Sequence, residues 1–97
     1  MNEFILQGRI VRDPSLKFSA KGTGIINLTI ATAEEKTQFI PVTLFRKNEE
    51  EAQKTVSELF KGRLIKTTGR IANYSYIKDD AKMYGFNFIS NGYEVVN

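Results

Sequence analysis

An all-β barrel with a single helix is the fold this 97-residue sequence predicts, and three observations predict it. Apolar residues recur at every second position through most of the chain, the period of a strand with one buried face. The period changes once, after Asn48, to the spacing of an amphipathic helix. Turn residues punctuate the alternating runs at Asp13-Pro14-Ser15, Glu34–Thr37 and Asn91-Gly92.

The elements follow in order. A first strand spans 3–12, with Phe4, Leu6, Gly8 and Ile10 on one side, and Gly8 is expected to mark a bend or bulge at a barrel corner. Leu16-Lys17-Phe18 is a brief extended piece before the flexible loop Ser19–Gly24. The second strand, Ile25 to Ala33, sets Ile26, Leu28 and Ile30 on its apolar face and pairs as a hairpin with the third, Gln38 to Phe45. On that third strand Ile40, Val42 and Leu44 point to the core, and Phe39, Pro41, Thr43 and Phe45 point away from it.

Ala52, Val56, Leu59 and Phe60 then form one helical stripe, and Asn48 with Glu51 gives a capping-box spacing. The acidic first turn suits the helix dipole and Lys61-Gly62 supplies a stop, so the helix is expected over 49–60. The fourth strand runs from Arg63 to Tyr76, with Ile65, Thr67, Gly69 and Ile71 inward and Lys66, Thr68, Arg70, Tyr74 and Tyr76 outward. Lys78–Lys82 is a polar tip, Met83–Ser90 the fifth strand, and Tyr93–Val96 a last apolar piece after the Asn91-Gly92 turn. Five strands with one helix between the third and fourth is the element order of the OB-fold, a five-stranded Greek-key barrel. An SH3-like barrel does not normally carry a helix there.

Length bounds the chain to one domain over 1–97 with a single modest core. A hydrophobic fraction of 41% argues against wholesale disorder. Having no cysteine and no histidine, the chain lacks thiol chemistry, disulfides, the usual zinc ligands and imidazole catalysis. The carboxylates Glu34-Glu35, Glu49-Glu50-Glu51 and Asp79-Asp80 fall in turns or in a helix's first turn, where each has a structural reason to exist. The expectation is therefore no enzyme, no cofactor and no metal. No apolar run is long enough to cross a bilayer and no signal pattern opens the chain, so the expected compartment is the cytoplasm, with no membrane partner.

The formal charge of +3 is unevenly spread. Residues 48–60 carry Glu49, Glu50, Glu51 and Glu58 against Lys54, which leaves the rest with 13 basic and 7 acidic groups. A basic sheet with its acidic element set apart suits a polyanion. Phe39 and Phe45 stand on the outward face of one strand, followed by Arg46-Lys47, and Lys66, Arg70, Tyr74 and Tyr76 stand on the outward face of another. Rings beside cations on an open sheet are what unpaired bases stack on. The expected contacts to unpaired nucleic acid are Phe39, Phe45, Tyr74, Tyr76, Lys66, Arg70, Arg9, Lys36 and Arg46. The competing reading makes the same aromatic face a protein interface, in an interaction module with weak or no nucleic-acid binding.

These residues resemble the bacterial and phage single-stranded DNA-binding proteins along almost the whole chain. The likeness runs through Gly8-Arg9, Asp13-Pro14, Lys17-Phe18, Gly22 and Asn27–Thr32, then Thr37-Gln38-Phe39 and Val42–Lys47, then Phe60-Lys61-Gly62 and Gly69-Arg70-Ile71. The resemblance implies an OB-fold, a homo-oligomer (tetramer before dimer), and sequence-independent binding of single-stranded DNA in replication, recombination and repair. It sets the family's stacking aromatics on Phe39, Phe45 and Tyr76. Two departures stand out: the Glu34–Thr37 turn replaces a longer loop that carries another aromatic, and the sequence stops at Asn97 without an acidic tail. By resemblance, tail-mediated recruitment of replication proteins is not expected, whereas a phage or mobile-element member, or a primosomal accessory protein of the same lineage, is.

Overall fold

A computed structural model describes residues 1–96, and the chain end at Asn97, on which the tail expectation rests, lies outside them. The described elements are β1 (Phe4–Ile10), β2 (Ser15–Phe18), β3 (Gly24–Ala31), β4 (Phe39–Arg46), α1 (Glu49–Glu58), β5 (Leu64–Lys78) and β6 (Ala81–Val95). They form one sheet in the order β1-β5-β6-β4-β3-β2, closed by a further pairing of β1 with β3. The pairings are antiparallel except that of β4 with β6, where Val42 meets Phe88 and Thr43 meets Ile89. The helix lies between β4 and β5, the OB-fold position, and packs across β2, β3 and β4.

Closure depends on Gly8. The ladder from β1 to β5 passes through it without a shift, Gly8 opposite Ile65, so the expected bulge is absent. The strand instead comes so close to β3 there that any Cβ would overlap the Ala31 carbonyl and the Ile30 side chain. One residue later Arg9 and Ile10 are paired with Ala31 and Ile30. Close approach is what this glycine serves.

The inward faces meet as the alternation requires. Ile10, Ile26, Leu28, Ile30, Val42, Leu44, Leu59, Ile65 and Phe88 form the buried core. Thr67 is buried among them without cost, because its hydroxyl lies 2.6 Å from Ser90 Oγ and donates to the Gly92 carbonyl.

Four local expectations need correction. Leu16–Phe18 belongs to a true strand, β2, paired with β3 through Ser15 opposite Asn27 and Phe18 opposite Gly24. Asn91-Gly92 does not turn the chain. Thr68 faces Gly92 while Gly69 faces Ser90, so Asn91 is an extra residue bulged within the continuous strand β6. The polar tip shrinks to a two-residue turn, Asp79-Asp80, with φ of 52° and 63°. Positive φ at both central residues is the geometry whose twist matches a tight hairpin, and aspartate tolerates it. Finally, the helix ends at Glu58 with Leu59 as its cap, so Phe60 leaves the stripe and lies exposed beneath the Arg63 guanidinium, 4.7 Å from the ring centroid. Thr55 is buried in its place. The start holds as expected: the Glu51 N–H donates to Asn48 Oδ1 at 2.9 Å.

Candidate nucleic-acid interface

The barrel wall is one strand thick, so every residue that alternates with the core faces outward. On β4 that set is Phe39, Pro41, Thr43 and Phe45, and its two rings are 64% and 48% exposed. For an apolar ring this exposure has a hydration cost that the fold does not recover, and here two such rings share one face of one strand.

Strand register places the other expected residues around them. Directly opposed residues share a face, so Arg9, Ala31 and Phe39 lie in one row across β1, β3 and β4. A second row crosses five strands: Arg70, Ile89, Thr43, Asn27 and Ser15. Lys66 stands on the same outer face, but opposite Glu94, which offsets part of its charge. Arg9 donates from its guanidinium to the Gly62 carbonyl at 3.0 Å and remains exposed. Lys36 lies in the loop just before Phe39, at the same end of β4, and is also exposed.

Beyond the barrel, β5 and β6 continue as a two-stranded arm. Tyr74 and Tyr76 lie on its outer face with centroids 6.1 Å apart and planes at 24°, both half-exposed. Gly85, opposite Tyr74, makes this possible, because a Cβ there would collide with the Tyr74 ring. Outward-facing Thr43 is paired with Ile89, and Asn87 and Gly85 of β6 alternate on that same face, with Gly85 opposite Tyr74. The arm tyrosines and the barrel phenylalanines therefore belong to one outer surface.

Arg46 is not part of that surface. It follows the parity of Val42 and Leu44, donates through Nε to Thr55 Oγ1 at 2.8 Å, and lies 6.0 Å from the Tyr93 ring centroid. Its geometry braces β4 against α1. Tyr93 completes the brace by donating to Glu58. Burial, and then the Glu58 carboxylate that takes its hydrogen bond, push the Tyr93 hydroxyl up to about 12.

Three exposed side chains on the arm's other face are absent from the expected contacts. Ile77, Tyr84 and Phe86 are 71%, 63% and 69% exposed, and Lys82 Nζ lies 5.6 Å from the Tyr84 ring centroid. Tyr84 and Phe86 alternate with the buried Phe88, so a period-two reading assigns them to the core. Only the length of the arm shows that the barrel ends before it reaches them.

A closed ring of five strands with one helix between β4 and β5 defines the class as an OB-fold, here with exposed rings and cations on its outer face. The comparisons carry the assignment further. The model of the single-strand binding protein family matches residues 1–91, and the chain belongs to that family. It is 33% identical over 93 residues to single-stranded DNA-binding protein 3 of Clostridium acetobutylicum, covering 87% of this chain and 62% of that protein. It is 35% identical over 83 residues to the single-stranded DNA-binding protein of Thermus aquaticus, covering 78% of this chain and 30% of that protein. The crystal structure of a deletion mutant of the Thermus aquaticus protein superposes with a TM-score of 0.78 at 30% identity, over 98% of this chain and 40% of that one. The chain thus spans from 30% to 62% of the length of these relatives.

Proposed function

We propose that this protein binds single-stranded DNA without requiring a particular sequence, in DNA replication, recombination and repair. Bases stack on Phe39, Phe45, Tyr74 and Tyr76, and phosphates pair with Arg9, Lys36, Lys66 and Arg70. The observation that carries the reading is the exposed ring pair on the outer face of β4, in register with Arg9 at one end and Arg70 near the middle. Stacking accepts any base, since every base has a π face, and exposed cations follow a backbone whatever its sequence. Names of the relatives support the same ligand.

The role is binding, without a catalytic step. Its support is the placement of the carboxylates: Glu51 in the helix's capped first turn, Glu58 on Tyr93, and Asp79-Asp80 in the tight turn of the arm. Among the described residues no helix is long and apolar enough to cross a membrane, and the proposed compartment is the cytoplasm. A homo-oligomer, a tetramer before a dimer, is proposed as the working form. Phe4 and Ile5 of β1 and the Ile77–Tyr84–Phe86 face leave apolar surface exposed on a single chain, and a polymer ligand rewards joined tracks. Light scattering at micromolar concentration tests this, and a monomer would refute it.

Tyrosine emission tests the binding itself. Addition of oligo-dT at low salt is expected to quench the fluorescence of Tyr74 and Tyr76. Unchanged emission and no retardation with any oligonucleotide would favour the protein-interaction module instead.

A further inference from the structure

Between its two rings β4 presents Pro41 and Thr43, and the surface above them is a groove of about 400 Å³. That is within the roughly 300–1,000 Å³ of pockets that take small ligands. Pro41 and Thr43 line it along β4, Arg12 from the β1–β2 connection and Asn87 of β6 lie at opposite sides, and Asn27 stands beside Thr43. The ring positions at its ends are separated by about 20 Å, six residues of extended strand. A strand of DNA stacked on both rings must cross the groove, and the groove offers hydrogen-bonding groups where the ends offer rings.

Three of its polar side chains, Asn27, Arg12 and Asn87, hold unused N–H donors. The Thr43 hydroxyl donates to Asn27 Oδ1 at 2.9 Å, which fixes that amide with its Nδ2 hydrogens unused. Among the described residues the Arg12 guanidinium and the Asn87 amide make no hydrogen bond, and Arg12 contributes donors alone. The Asp13 carboxylate beside them already accepts the Lys61 N–H at 2.9 Å. A group that fits brings carbonyl oxygen on the edge far from its sugar, as thymine does with O4 and guanine with O6.

We propose that this groove is a base-edge subsite. Building on the single-stranded DNA reading above, it holds one base of the bound strand by hydrogen bonds from Asn27 Nδ2 and Arg12, with Asn87 on the opposite wall, and favours keto bases. Affinity then has a uniform part, from rings and phosphates, and a graded part of several-fold that depends on the base in the groove.

Base self-stacking and chain flexibility also produce composition preferences. The test therefore removes O4, a change that also takes the proton from N3. Oligo-dT of about 16 nucleotides, the upper site size of one OB-fold, is compared with the same oligomer carrying 5-methyl-2-pyrimidinone, which lacks O4 and keeps the ring and methyl group. The wild type is expected to bind the O4-deleted strand about 5-fold more weakly, one lost hydrogen bond's worth. Asn27→Ala and Arg12→Ala, both at exposed positions and checked for folding by thermal melts, should each bring the ratio towards unity. Phe39→Ala should weaken both strands and keep the ratio. Equal wild-type affinity for the two strands, or a ratio unchanged in both Asn27→Ala and Arg12→Ala, overturns the subsite. Failure of the wild type to bind either strand overturns the single-stranded DNA reading as well.

Discussion

The barrel and the arm are built from the same two strands, β5 and β6, and the same alternation, yet they dispose of it differently. Below Ile71 and Phe88 one face of each strand is closed over by β1, β3 and β4, and Ile65, Thr67 and Phe88 are buried. Above them, from Asn73 paired with Phe86 to Lys78 paired with Ala81, the hairpin has no strand on either side among the described residues. Ile77, Tyr84 and Phe86 continue the core parity and stand exposed. Alternation fixes which side chains share a face. Only topology decides whether that face has anything to bury against.

Stability should break along this line. Ile30→Ala or Leu44→Ala, at fully buried sites, is expected to cost about 2–5 kcal/mol. Phe86→Ala, on the arm, should stay within about 0.5 kcal/mol, as for a surface substitution. Thermal or denaturant melts measure both. Equal losses would mean that the arm folds against surface the single chain does not show.

The same contrast limits what was legible in the sequence. Ile40, Val42 and Leu44 against Phe39 and Phe45 sorted correctly, because both neighbours of β4 are present and its inner face is covered. The helix start was legible because Asn48 and Glu51 act locally. Its end was not: Phe60 fits the helical stripe in one dimension, but the helix stops at Glu58 and the ring turns to Arg63. The Asn91 bulge was hidden because Asn-Gly is also the commonest signature of a tight turn. At the candidate site, the sequence supplied the rings, while the groove beside Thr43 exists only once Arg12, Asn27 and Asn87 are brought together from three distant stretches.

The next effects concern the ligand. Tyr76→Ala removes a stacking platform and should cost about 1–3 kcal/mol in affinity for oligo-dT at every salt concentration. Arg70→Ala should instead flatten the log–log salt dependence by about 0.7, the share of one phosphate on a single strand. Lys66→Ala should flatten it less, since Glu94 stands opposite. Titrations at several salt concentrations separate these outcomes, and identical slopes for Tyr76→Ala and Arg70→Ala would erase the distinction between ring and cation.

A smaller effect belongs to the brace under β4. The Tyr93 hydroxyl is raised in the fold from its ordinary 10.0 to about 12, so the folded chain holds that proton more tightly than the unfolded one. A raised value contributes stability that is whole below the unfolded pKa, so the contribution should fade between pH 10 and pH 12. Tyr93→Phe should flatten stability across that window, and an unchanged alkaline slope would show that the hydroxyl is not coupled to folding. The smallest change is expected at the tip of the arm. Asp80→Gly, at a φ of 63°, should leave stability level or raise it by less than about 1 kcal/mol.

The most direct measurement compares neighbours on opposite faces of β4. Phe39→Ala and Ile40→Ala are melted and titrated with oligo-dT side by side. Phe39→Ala should melt close to the wild type and bind more weakly at every salt concentration, while Ile40→Ala should lose stability and, where still folded, bind as the wild type does. A collapse of the Phe39→Ala melting temperature, with Ile40→Ala folded but impaired in binding, would contradict the account, because the face assigned to DNA would then be the core.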